Sequence, residues 1–227
     1  MTGGYTEMGG MPPFLEKINP HVRWQRCFPT KMKPKGKFSR NESAPRVEQR
    51  GITGKSLVEN MLSRLQKYYR SHDYDYFLLI DDLDCRFNGD GDQYESWKLE
   101  LSDQVNKALE RETNTEVLFA SPEIEAWFVA DWENSFGKEY RTLSHPLKSK
   151  LKIEQGKNFW NSPESYGGAL VNGSCEFKLS ETIQRALSET PNNQTCRYSK
   201  RTNGAAMLGR IEPGHVAHVC RLYFAPV

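Results

Sequence analysis

Tyr76-Phe77-Leu78-Leu79-Ile80-Asp81-Asp82-Leu83-Asp84 decides the fold. Five apolar residues in succession have the length of a strand, and the lack of polar alternation means that both of its faces are covered, as in a parallel sheet. The run then stops in three carboxylates. Past a Gly, Asp and Asn loop (Asn88 to Asp92), Trp97, Leu101, Val105 and Leu109 recur every four residues like the buried stripe of a helix, and Glu116 to Ala120 (EVLFA) is the next strand. Strand, helix, strand implies a right-handed crossover and a mainly parallel sheet, whose sites lie at the carboxyl ends of its strands. Ile124, Trp127 and Phe128 open another helix directly after Ser121-Pro122.

Upstream, Leu57, Val58, Met61, Leu62, Leu65, Tyr68 and Tyr69 repeat at helical spacing behind Ser56, a suitable N-cap. Residues 29–54, rich in Lys, Pro, Gly, Ser and Asn, form a long exposed loop. His21 to Phe28 places Val22, Trp24 and Phe28 largely on one side and predicts a half-buried strand. Residues 11–18 (MPPFLEKI) predict a short helix stopped by Asn19-Pro20. Beyond about residue 135 the pattern breaks into short helical pieces, Cys175 to Leu187 and Val216 to Phe224. The expected architecture is a single α/β domain, with a core at residues 1–135 and a helical extension of the same domain at 136–227.

Charge is segregated along this chain. The 227 residues carry a net charge of only +2, which excludes a uniformly basic or acidic protein. Yet residues 21–56 hold ten Lys/Arg against two acids, whereas residues 71–135 hold seventeen acids against four Lys/Arg. An acidic centre beside a basic flank suits a cation-dependent enzyme acting on a polyanion; two solvated faces would give the same pattern. The five cysteines, Cys27, Cys85, Cys175, Cys196 and Cys220, are odd in number and never in a CxxC pair, so no disulfide framework or thiolate zinc site is expected. With no apolar run of membrane-spanning length and no secretory signal, the expected location is the reducing cytoplasm.

The strongest constellation is Asp82-x-Asp84 at the end of the buried strand, with Glu123 and Glu125 just past the next one. Neighbouring strand ends would bring these acids together, as hard divalent cations require. A solvated strand end and acids favouring the positive end of the next helix would also account for them. Gly54-Lys55-Ser56 ends like a phosphate-binding loop, but the glycine required four residues earlier is replaced by Gln49, so a helix cap is expected. Asn88 to Asp92 resembles a calcium loop, but Gln93 and Leu99 stand where Gly and Glu are needed. His215 and His218 share a spacing without a third ligand, so a structural role is expected of them.

Taken together, Gly3 to Glu7 (GGYTE), the strand ending in Asp82-x-Asp84, and Glu123 to Asp131 (EIEAWFVAD) resemble TOPRIM-like proteins of unknown function encoded beside ABC-type ATPases in prokaryotic genomes. They are similar to the nuclease half of OLD-type systems. The resemblance covers residues 3–131, with a weaker echo at Asn161 to Glu164. It implies a Rossmann-like TOPRIM core, metal-dependent phosphodiester chemistry with Mg²⁺ or Mn²⁺, and a role in phage defence with a partner ATPase. Asp82 and Asp84 match the family's metal ligands, and Glu125 matches its E-A-W acid. The family's leading strand and its glutamate have no counterpart here, since Thr2 stands in that place; Glu7, in the adjoining helix start, is the acid available to substitute.

The expected function is therefore that of a divalent-metal-dependent nuclease or nuclease-like subunit. Asp82 and Asp84 would hold the cation, Glu125 and Glu7 would do the acid and base work, and Arg23, Arg26, Lys31, Lys33 and Lys35 would engage the DNA or RNA backbone. Two alternatives stand beside it: a non-catalytic subunit that docks an ATPase, and a DxD-type glycosyltransferase.

Overall fold

A computed structural model of the chain describes residues 5–27, 54–87, 90–155, 160–168, 170–172, 174–190 and 197–220. Strand β1 (Tyr76–Asp82) pairs in parallel with β2 (Asn114–Ala120), in register from Tyr76 opposite Asn114 to Asp82 opposite Ala120. The helix between them spans Gly91–Leu109. Asp90 caps it by accepting from the Gln93 amide at 3.1 Å, which satisfies one of the amides that a helix start leaves unpaired.

Successive strand residues point to opposite faces, and this explains the unbroken apolar run. Phe77 and Leu79 of β1, with Val117 and Phe119 of β2, are buried against Leu57, Met61 and Leu65 on one side and Leu101, Val105 and Leu109 on the same layer. Leu78, Ile80, Leu118 and Ala120 face the other way, into a larger core. That second core draws on α1 (Tyr5–Ile18), on the helix Glu125–Ala130 and on helices from the last third of the chain. In chain order the helices are α1, α2 (Gly54–Arg64, continued by a π-helical turn Leu65–Tyr69), α3 (Gly91–Leu109), α4 (Glu125–Ala130), α5 (Phe136–Glu139), α6 (Ser144–Gln155), α7 (Leu179–Ser188), α8 (Ala205–Arg210) and α9 (Pro213–Val219). A short antiparallel pair, β3 (Leu170–Val171) with β4 (Ser174–Cys175), lies outside the parallel sheet. The class is α/β with helices dominant, and among the described residues the parallel sheet has two strands.

Three sequence expectations are corrected. The stretch from His21 forms no strand: residues 23–27 run without regular structure and pair with no described strand, so alternation alone did not make a ladder. Phe28 lies outside the described residues. Helix α1 begins at Tyr5, six residues before the expected start, and continues through Gly9, Gly10, Pro12 and Pro13. Local propensity opposes such a helix, and packing carries it: a Cβ on Gly10 would lie 2.5 Å from the Ala205 carbonyl and 2.6 Å from Leu208 Cβ, so α1 and α8 approach as only glycine permits. Finally, Cys85 and Cys175 form a disulfide across a separation of 90 residues, where the cysteine spacing gave no reason to expect one.

Candidate functional site

Parallel register sets the carboxyl ends of β1 and β2 side by side. The Leu83 amide donates to the Ala120 carbonyl at 2.8 Å and the Asp84 amide to the Pro122 carbonyl at 3.0 Å, so the DxD segment is fastened to the chain that leaves β2. Asp84 and Cys85 then adopt left-handed backbone, with φ of 49° and 58°, a region that side chains other than Gly, Asn and Asp seldom occupy. The bond to Cys175 anchors this turn to β4.

Four carboxylates meet at this edge. Asp82 Oδ1 accepts from the Ile124 amide at 2.9 Å. Glu123, from the turn before α4, accepts from the Ser180 amide at 3.0 Å and the Ser180 hydroxyl at 2.8 Å. Glu125, on the first turn of α4 and fully buried, accepts from the Tyr198 hydroxyl at 2.6 Å. Glu7 comes from the first turn of α1 and is also buried. Its entry depends on the α1–α8 packing, and the Thr6 hydroxyl donates to the Lys200 carbonyl at 2.9 Å.

Lys200 sits among these acids. Its Nζ lies 3.2 Å from Glu123 Oε1, 3.3 Å from Glu125 Oε2 and 4.0 Å from Asp82 Oδ2, with the side chain 37% exposed. One ammonium cannot balance four carboxylates, and the proton affinities reflect that. Burial, with the repulsion of Glu125 and Asp81 added, raises Glu7 from 4.5 to about 7, against the pull of Lys200. Burial likewise lifts Asp82, Glu125 and Asp84 above the usual carboxylate range, with Glu7 and Glu125 adding to the effect at Asp82. Glu123 goes the other way, because Lys200 and Ser180 outweigh its burial. Lys200 is pushed above the ordinary lysine range: burial disfavours its charge, but Glu125, Asp82 and Glu123 prevail.

Asp81 belongs to a separate arrangement. Its Oδ2 accepts from the Gly54 amide at 2.8 Å and from the Arg86 guanidinium at 2.7 Å. The Gly54-Lys55-Ser56 helix start therefore caps onto a carboxylate, as a structural role requires. His215 Nδ1 lies 3.1 Å from Asp131, which also accepts from the Glu212 amide; this pair ties α4 to α9.

Of the residues singled out from sequence, the structure brings together Glu7, Asp82 and Glu125. Asp84 stands at the rim, facing Glu123 and Lys178, and makes none of the contacts that join the others. Arg23 and Arg26 are exposed on the wall of a nearby cavity. Lys31, Lys33, Lys35 and Thr2 lie outside the described residues. Lys200, Tyr198 and Ser180 were not foreseen. They come from a stretch with no motif, and only tertiary packing across 57 to 77 positions delivers them.

The donor set fits a hard divalent cation in chemistry: the candidate donors are carboxylate oxygens, and Glu7 Oε2 is buried without a hydrogen-bond partner while Glu125 Oε2 faces the Lys200 ammonium. Among the described residues, no three acids, histidines or cysteines are arranged to hold an ion as they stand; the ammonium of Lys200 fills the space between them.

Comparison with protein-family models, with curated proteins and with solved structures finds no match to this chain. No helix among the described residues is long and apolar enough to cross a membrane.

Proposed function

We propose that this chain is a divalent-metal-dependent nuclease or nuclease-like subunit built on a Rossmann-like TOPRIM core, acting on nucleic-acid phosphodiesters with Mg²⁺ or Mn²⁺. The observation that carries this reading is the convergence of Glu7, Asp82 and Glu125 at the carboxyl end of the parallel pair, where Glu7 Oε2 is buried without a hydrogen-bond partner and Glu125 Oε2 is met by the Lys200 ammonium. Excess buried negative charge is costly unless a cation joins it.

In this reading Glu7 and Asp82 hold the cation, with Asp84 at the rim. A bound Mg²⁺ or Mn²⁺ supplies charge stabilisation at the phosphoryl oxygens. Glu125, fixed by the Tyr198 hydroxyl, orients the attacking water. Lys200, once turned outward, binds a nonbridging phosphate oxygen and adds a second positive charge where negative charge develops. The resemblance adds a partner ABC-type ATPase and a role in phage defence to the proposal.

A second reading is favoured by one observation, the Lys200 ammonium already lodged among the acids. A lysine in the place of the ion would make the chain a non-catalytic subunit that docks an ATPase. Incubating the protein with labelled single- and double-stranded DNA and RNA, in Mg²⁺, Mn²⁺ or chelator, separates the two. The nuclease reading expects metal-dependent cleavage that falls at least about 10²-fold in Asp82→Asn. No cleavage in either metal leaves the non-catalytic reading, and cleavage indifferent to Asp82→Asn overturns the role given to this cluster.

A further inference from the structure

The disulfide joins two segments that both serve the carboxylate edge. Cys85 directly follows Asp84 in the turn that closes β1. Cys175 ends β4, and the five residues after it deliver Lys178, which faces Asp84, and Ser180, whose amide and hydroxyl hold Glu123. Neither cysteine belongs to either hydrophobic core. The bond ties a turn to a short hairpin outside the parallel sheet.

The turn has a backbone that its own residues do not favour. Asp84, Cys85 and Phe87 are all left-handed, with φ of 49°, 58° and 64°, a conformation that such residues keep only where their surroundings impose it. Among the described residues, two backbone bonds fasten the turn to the chain leaving β2, from the Leu83 and Asp84 amides; the disulfide is the covalent tie. The other arm is shaped to receive it. Gly167 has φ of 122°, and a Cβ there would lie 2.7 Å from Cys85 Sγ and 3.0 Å from Cys175 Sγ, so backbone rests against both sulfurs as only glycine permits. Cys175 is 7% exposed while Cys85 is half-buried, so an incoming thiolate meets Cys85 first. Cys27 and Cys220 are buried thiols whose proton affinity burial raises. They stay protonated and do not compete, because the thiolate is the attacking form.

We propose that the Cys85–Cys175 bond is a redox latch on the cation site: closed, it holds Asp84 at the rim; opened by a dithiol, it frees the turn and weakens divalent-cation binding. The consequence rests on the metal reading, whereas the latch itself rests on the covalent tie. One thiolate of the dithiol attacks Cys85 Sγ, the Cys85–Cys175 bond breaks, and Cys175 leaves as a thiolate that takes up a proton. The second thiol then gives up its proton and attacks the sulfur that its own molecule has bonded to Cys85, which releases Cys85 as a thiolate to be protonated in turn. Two electrons pass to the cysteine pair, and the dithiol ends as a disulfide.

The test is hydrogen exchange read by mass spectrometry on the full chain in chelator, with the pair closed and again after dithiothreitol has opened it and been removed under nitrogen. Opening should speed exchange over residues 83–87 by at least about tenfold, the low end of what releasing one left-handed residue is worth. Residues 77–80 of β1 and 117–119 of β2 should stay within about twofold, as parts of the buried sheet. Mn²⁺ titrated into each form by calorimetry should bind the opened one at least about tenfold more weakly, as loss of a supporting group at a metal site does. The double variant Cys85→Ser, Cys175→Ser should match the opened form without dithiol. Unchanged exchange over 83–87 overturns the proposal. Exchange that quickens in β1 and β2 as well also overturns it, since the bond would then be a staple of the whole fold, and so does equal Mn²⁺ affinity of the two forms. Mn²⁺ bound by neither form is a failure of the metal reading instead; the exchange measurement, made in chelator, still decides whether the bond holds the turn.

Discussion

Glu7 makes the buried acid cluster measurable through pH. Its carboxyl titrates at about 7 in the folded protein against 4.5 ordinarily, chiefly because it is buried. Between those values the native chain holds a proton that the unfolded chain has released, so folding is favoured at low pH. That contribution is fully present below 4.5 and is lost as pH rises through about 7. At 1.36 kcal/mol for each pH unit of the interval, the loss is about 3 kcal/mol. For a chain of this length it corresponds to roughly 6–12 °C in melting temperature. The perturbation is Glu7→Gln, which keeps the shape of the protonated acid and cannot ionise. Thermal unfolding followed by circular dichroism in chelator at pH 5, 6, 7 and 8 gives two curves. Wild type should fall relative to Glu7→Gln across that range by about that amount, most steeply up to pH 7. Removing the Glu7 charge also relieves Asp82, whose carboxyl it pushes upward, so the difference between the curves is the quantity to read. Parallel curves would refute the placement of Glu7 in a buried acid cluster.

Three further outcomes follow from other contacts. Lys200→Met removes the ammonium that holds Glu123 and Glu125; in chelator it should destabilise the fold by about 3–5 kcal/mol, as leaving buried charge unpaired does, and Mn²⁺ should recover more stability than in wild type. Gly10→Ala forces a Cβ to within 2.5 Å of the Ala205 carbonyl, so urea unfolding should show a loss of about 1–3 kcal/mol from separating α1 and α8. With Cys85 bonded to Cys175, unreduced denatured protein should take up alkylating reagent on three of its five cysteines by mass spectrometry; five would show that the pair is reduced.

How much of this was legible in the sequence differs from element to element. Strand β1 announced itself because both its faces are buried, and α3 because one stripe of it is. The acids after them followed from βα topology, which puts strand ends together whatever the intervening sequence. The stretch 21–27 misled because alternation reports burial on one side and says nothing about a ladder partner. Glu7 was visible only as an acid near a helix start, since Gly9, Gly10, Pro12 and Pro13 disguise α1 and the fit to α8 is what makes it helical. Lys200 was invisible for a related reason: a lysine lodged among acids is defined by partners 75 to 118 residues away, and its own neighbours form a π-helical turn, Lys200–Gly204, with no repeating pattern. Cysteine pairing is a property of distance in the fold, which the spacing of Cys85 and Cys175 does not encode.

The central claim is that the Glu7, Asp82 and Glu125 cluster is a divalent-cation site into which Lys200 folds when no ion is bound. Crystals soaked in Mn²⁺ and measured at the manganese absorption edge test it without reference to activity. The account predicts an anomalous peak bonded to carboxylate oxygens of Glu7 and Asp82, with the Lys200 ammonium displaced from Glu123 and Glu125. Absence of a peak there at saturating Mn²⁺, with Lys200 still lodged between those two glutamates, would contradict it.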